Sequence, residues 1–179
     1  QTMKRPSFAK VSRYAVCGVA GAMIAMLGAK AAGLRFNATP SIPLGVYRAT
    51  GGTAQKGDLV AFCPPAAPPF LEALRRRYIE PGDCPSGSYE MMKRILAAKG
   101  DRVQIGGQGV RINGRLVPDS APQLADGAGR ALPRLNADWT LGDGEILVLG
   151  DGAASFDGRY FGPISARQVT APIKPVVTW

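Results

Sequence analysis

Glycine and proline punctuate this chain so densely that long uninterrupted elements have little room to form. The 23 Gly and 15 Pro among 179 residues favour turns and short strands over a helix bundle. Apolar residues at 46% suffice for a core, and 20% charged is ordinary for one folded domain with an appendage. After Tyr47 the periodicity is mostly that of strands. GDLVAF (57–62) reads as a strand opened by a turn pair, GEILVLGD (144–151) as a buried strand, and VTAPIKPVVTW closes the chain as another. YEMMKRILA (89–97) reads as a strand rather than a helix, and Asn113-Gly114 is a two-residue hairpin signal. FLEALRRRYI (70–79) is the exception, with Phe70, Leu71, Leu74 and Tyr78 at helical spacing. Asp119 to Trp139, rich in Pro, Gly, Ala and Asp, reads as a surface loop or insertion. The fold class expected is mainly β, an antiparallel domain behind an N-terminal transmembrane helix.

That helix is expected from AVCGVAGAMIAMLGA, an uncharged run from Ala15 to Ala29 preceded by Lys4, Arg5, Lys10 and Arg13. Tyr14 to Leu34 covers 21 residues, enough to span a bilayer if Lys30 snorkels to the interface. The basic flank predicts residues 1–13 as a cytoplasmic leader, 14–34 as a membrane anchor and 35–179 as an exported domain. Two competing readings exist. A buried soluble helix fits poorly with apolarity on all sides. A cleaved signal peptide fits better, because Ala29-Lys30-Ala31 has the small-x-small pattern of a cleavage site. Anchor and signal readings alike export the remainder. In an oxidising compartment Cys63 and Cys84 are able to form a disulfide, the alternative being two unrelated thiols. Cys17 lies within the apolar run.

The formal charge is +9, yet the basic residues are scattered apart from Arg75, Arg76 and Arg77, with few aromatics between them. A solvated basic surface or an anionic membrane surface suits this pattern better than nucleic acid, and no nucleic-acid partner is expected. Histidine is absent. That excludes a Ser-His-Asp or Cys-His mechanism within the chain and His-based metal sites, and no cofactor or metal is expected. Any nucleophilic catalysis needs another base, and lysine is the known substitute.

Three turn-bounded blocks carry the residues for such chemistry. Ser41 lies in TPSIPLGVYR, between Pro40 and Pro43, which bias Thr39 and Ile42 toward extended backbone and are expected to hold Ser41 in extended backbone too. Lys93 lies in MMKRILAAKGD among Met91, Met92, Ile95 and Leu96. Burial on such a strand would lower an amine from about 10.4 toward roughly 7–8, where it can act as a general base. The plainer reading is that Lys93 and Arg94 point to opposite faces and one reaches solvent. Asp157 and Arg159 lie in GDGAASFDGRYFGP, where they are suited to an ion pair.

In this order the blocks resemble the type I signal peptidase superfamily of serine–lysine proteases, and most closely its conjugative-transfer branch, the TraF family. There the serine block has the form Ser-x-Pro-x-Gly-x-Tyr, met by Ser41, Pro43, Gly45 and Tyr47. The lysine block, Lys-Arg followed by apolar residues and Gly-Asp, is met by Lys93, Arg94, Gly100 and Asp101. The last block is met by Gly150, Asp151, Ser155, Asp157, Arg159, Tyr160 and Gly162. Two positions depart: Gly152 stands where Asn commonly follows Gly-Asp, and Lys99 replaces a proline before Gly100.

The resemblance implies a signal-peptidase-like coiled antiparallel β domain with its active site near the membrane. It implies Ser41 as nucleophile, Lys93 as general base and Asp157 as a carboxylate needed for activity. The Ser41 N–H and the Thr39 hydroxyl would form the oxyanion hole, and Ser155 would orient the lysine, with Arg94, Asp101, Asp151 and Arg159 in support. It further implies a single-pass protein of the bacterial inner membrane with its catalytic domain in the periplasm. The expected substrate is a pilin-type precursor, processed and in this branch also cyclised, with conjugation or type IV secretion components as partners. The alternatives are a general signal peptidase for exported preproteins and a non-catalytic scaffold of a secretion or mating-pair complex.

Overall fold

The computed structural model describes residues 17–21 and 28–179. They fall into two units, residues 1–35 and 36–179. In the first, residues 17–21 and 28–31 are helical. The second helical stretch closes at Gly33, whose φ of 77° lets its N–H reach the Lys30 carbonyl. Much of the span expected over 14–34 lies outside the described residues. Among those described, no helix is long and apolar enough to cross a membrane. Leu34, expected at the end of the span, instead begins a strand.

In chain order the elements are β1 (Leu34–Asn37), β2 (Gly45–Ala49), β3 (Leu59–Phe62), α1 (Pro68–Arg75) and β4 (Met91–Ala97). β5 (Arg102–Gly106), β6 (Gly109–Ile112), β7 (Arg115–Leu116) and β8 (Ala137–Thr140) follow. β9 (Glu145–Leu149), α2 (Gly158–Phe161), β10 (Ile164–Ser165) and β11 (Val169–Thr178) complete the chain. A seven-stranded sheet has the order β1-β2-β11-β3-β4-β9-β10, and a four-stranded sheet the order β7-β6-β5-β8. The pairings β2–β11, β3–β11, β3–β4 and β4–β9 are antiparallel, as are those of the smaller sheet. The mainly β expectation therefore holds.

Local chemistry explains several boundaries. Asn113 (φ 51°) and Gly114 (φ 79°) both take left-handed backbone, which a two-residue β6–β7 turn requires. α1 starts at Pro68, a residue whose fixed φ suits a first turn. It stops at Arg75 rather than running to Ile79, because Arg77 turns left-handed at φ 63°. The segment read as an insertion lacks strands until β8, which claims Trp139.

Three apolar clusters hold the sheets. Val60, Phe62, Ile95 and Val148 pack with Phe70 and Ala73 of α1. Val103, Ile105 and Val110 of the smaller sheet pack with Leu147 and Leu149 of β9. The third joins Ile42, beside the candidate nucleophile, to Tyr47, Ala61, Met92 and Ile173. Each fully buried large side chain contributes about 2 kcal/mol of transfer free energy. Cys63 and Cys84 form a disulfide that ties the residue after β3 to the loop after α1. Closing a loop of that length stabilises by about 3 kcal/mol in the chain-entropy view.

Candidate active site

The segment between β1 and β2 was expected to be extended, but Pro40 and Ser41 form a turn. Asn37, buried at the end of β1, curls it. Its Nδ2 donates to the carbonyls of Thr39 (2.8 Å), Ile42 (3.0 Å) and Pro43 (3.1 Å). From the other side, the Tyr47 hydroxyl donates to the Pro43 carbonyl at 2.6 Å. Ser41 is thereby held in a turn gripped by two buried side chains, and is itself only 7% exposed. Its backbone N–H forms no hydrogen bond among the described residues.

Lys93 sits mid-way along β4, opposite Val60 of β3. Strand alternation places it with Met91 and Ile95 on the face of the first apolar cluster. Lys93 and Arg94 do point to opposite faces, and Arg94, with its side chain 36% exposed, is the one that reaches solvent, whereas Lys93 is 5% exposed. Burial lowers the Lys93 pKa to about 8, against the opposing pull of Asp157 and Asp151 and with the help of Arg159. The amine forms no hydrogen bond or ion pair among the described residues.

Gly150 is where the three blocks meet. β4 and β9 pair with Arg94 opposite Leu149, so the end of β9 and Gly150 adjoin the Lys93 position. A Cβ on Gly150 would lie 2.3 Å from Ser155 Oγ and 2.7 Å from the Ser41 carbonyl oxygen. The next amide, Asp151 N, donates to that carbonyl at 2.6 Å. Gly152 is equally constrained: a Cβ there would lie 2.8 Å from the Pro40 carbonyl. The absence of the usual Asn therefore suits this loop, which leaves no room for a side chain.

Asp157 is fully buried and caps α2. Its Oδ2 accepts from Gly150 N at 2.8 Å and from the Arg159 guanidinium at 2.7 Å. Its Oδ1 accepts from Arg159 N and Nε. Arg159, 1% exposed, also donates to the carbonyls of Gly152, Ala153 and Asp119. This buried pair fixes the loop that carries Gly150 and Ser155. Ser155 Oγ is buried and has no hydrogen-bond partner among the described residues. A hydroxyl left unpaired at this depth costs about 1–3 kcal/mol.

Ser41 Oγ contacts Thr39 Oγ1 at 3.2 Å, rather than Lys93. Arg94 and Asp151 pair at the edge of the group, at 3.3 Å. Asp101 belongs elsewhere: its carboxylate accepts from Lys56, Ala98 N and Asn113, all outside the serine–lysine group. Asn37 was not singled out in the sequence. Its signal is a buried-strand asparagine two residues before a Thr-Pro-Ser turn, the spacing at which Asn side chains bond onward backbone.

The chain matches the family described as "Signal peptidase, peptidase S26" over residues 9–179. A "Plasmid transfer protein TraF" of Escherichia coli is 49% identical over 166 residues, covering 92% of this chain and 93% of that protein. A second Escherichia coli protein of that name is 45% identical over 174 residues, 96% of this chain and 98% of the relative. A "Conjugal transfer protein TraF" of Agrobacterium fabrum is 38% identical over 168 residues, covering 90% of this chain and 93% of its own. A signal peptidase I structure from Enterococcus faecalis aligns at 22% identity with a TM-score of 0.38, over 70% of this chain and all of that one, and the family assignment does not rest on it. Since the match takes in all three blocks that meet at Gly150, and relatives align over nearly their full length, this chain belongs to the signal peptidase family, peptidase S26, as a TraF-type member.

Proposed function

We propose that this chain is a serine endopeptidase of the Ser–Lys type that processes a pilin-type precursor during plasmid transfer. The observation that carries the reading is Lys93: a buried amine, lowered to about 8, on the strand that adjoins Gly150 and the Ser41 turn. With a pKa of about 8, about a tenth of this amine is neutral at pH 7 and about half at pH 8, able to accept a proton. Ser41 Oγ attacks the scissile carbonyl as its proton passes to Lys93 Nζ. The carbonyl π pair moves onto oxygen, where the Ser41 N–H and the Thr39 hydroxyl can receive it. Collapse breaks the C–N bond, Lys93 returns its proton to the leaving amine, and an ester remains on Ser41. Water then releases a carboxylate, or an amine closes a peptide bond. Exclusion of water and the presence of a nearby amine decide between the two outcomes. Asp157 acts as a positioning residue through Gly150 and Arg159, and Ser155 receives the lysine ammonium.

The printed names of the relatives support a role in conjugation. Exposed Phe36, Val176, Val177 and Trp179 support a catalytic domain working against a bilayer, with Phe36 and Trp179 in ring contact at 6.2 Å. Anchoring by the apolar run that precedes β1, in the inner membrane with the domain in the periplasm, completes the proposal. Co-expression with a pilin precursor and intact-mass measurement of the pilin tests it. Processing is expected with wild type and lost in Ser41→Ala. A product one water lighter than the linear cleaved form identifies cyclisation, and a free new carboxylate identifies hydrolysis. Processing that persists in Ser41→Ala removes the proposal.

A further inference from the structure

Asn37 is 4% exposed, and the five hydrogen bonds of its side chain all go to residues 39–43. Its amide faces three carbonyls, which fixes the other end as the acceptor. That acceptor, Oδ1, takes Thr39 N at 3.3 Å and Thr39 Oγ1 at 3.0 Å. A threonine hydroxyl has one proton, and Oδ1 can only accept. The Thr39 proton is therefore directed at Asn37. Across the 3.2 Å contact between Thr39 and Ser41, Thr39 must then accept and Ser41 must donate.

We propose that Asn37 is a positioning residue for the nucleophile, acting through Thr39. It orders a chain running Ser41 to Thr39 to Asn37, which turns the Ser41 proton away from Lys93 until a substrate carbonyl arrives. This rests on the Ser–Lys reading above. On attack, the Ser41 proton passes to Lys93 Nζ, the Oγ–C bond forms and the π pair moves onto the carbonyl oxygen. The Thr39 hydroxyl then swings from Asn37 Oδ1 to that oxyanion, while Thr39 N stays bonded to Asn37. The acceptor end of Asn37 thus serves the reaction, and the donor end serves the stability of the turn.

The two ends can be separated by kinetics on the full chain with a fluorogenic peptide carrying an Ala-x-Ala site. Thr39→Val is expected to lower kcat about 100-fold with KM within about threefold, and Thr39→Ser to restore it. Asn37→Ala is expected to lower kcat, but by less than about threefold further when added to Thr39→Val. Asn37→Asp keeps the acceptor and loses the donors. It is expected to melt at a lower temperature yet hold kcat within about tenfold of wild type, and this arm decides the matter if Asn37→Ala does not fold. Full multiplication of the Asn37→Ala and Thr39→Val losses overturns the proposal. So does an Asn37→Asp as impaired as Thr39→Val, which would mark Asn37 as a clamp alone. Cleavage by Ser41→Ala equal to wild type, or none by wild type, removes the Ser–Lys reading itself. Contrary Asn37 results beside an inactive Ser41→Ala remove only this inference.

Discussion

Lys93 carries a conflict between stability and activity. An amine that titrates near 8 in the folded chain, against a usual 10.5, binds protons more weakly folded than unfolded. The unfolded state therefore holds the extra proton between those values, so stability rises with pH across that window. The penalty is full below about pH 8 and gone above about 10.5, and it amounts to about 3 kcal/mol. Lys93→Met keeps the volume and removes the charge. Urea unfolding should show Lys93→Met more stable than wild type at pH 7, with the gap closing toward pH 10.5. An unchanged gap would mean that Lys93 is not desolvated. The lysine block already suggested such a base, since an ammonium among Met91, Met92, Ile95 and Leu96 is costly to bury. Sequence alone left open which of Lys93 and Arg94 faces inward; the β3–β4 register, with Lys93 opposite Val60, settles that.

At the scale of elements, the site depends on how closely the β9 exit passes the Ser41 turn. Gly150→Ala would place a methyl 2.3 Å from Ser155 Oγ and 2.7 Å from the Ser41 carbonyl. Backbone on one side cannot give way, so the substitution is expected to destabilise by about 1–3 kcal/mol. Cleavage should fall more steeply than the fraction folded; paired thermal melts and rate measurements check this, and an active Gly150→Ala would refute the close approach. β4, β9, β11 and the Asn113-Gly114 hairpin were legible because alternation and turn chemistry are local signals. β1, β8 and α2 were not: each is four residues long and owes its form to tertiary partners. The Ser41 turn was misread as extended for a related reason. Its shape comes from the Asn37 side chain bonding three carbonyls, and proline bias alone did not reveal that.

For the molecule as a whole, the proposal requires a catalytic unit that works at a lipid surface. Trp179 and Phe36 are 66% and 57% exposed, a large apolar area for a surface facing only water. In a Trp139→Phe background, Trp179 emission is expected to shift to the blue when anionic vesicles are added. Emission unmoved by vesicles would argue against bilayer contact. The central claim, that Ser41 is activated by Lys93, is tested most directly by kcat/KM for peptide cleavage as a function of pH, in wild type beside Lys93→Met. Wild type is expected to rise through a single ionisation near 8 and level off, and Lys93→Met to lie about 10² to 10⁴-fold below it at every pH. A flat wild-type profile across that range, or a folded Lys93→Met that cleaves at the wild-type rate, would contradict it.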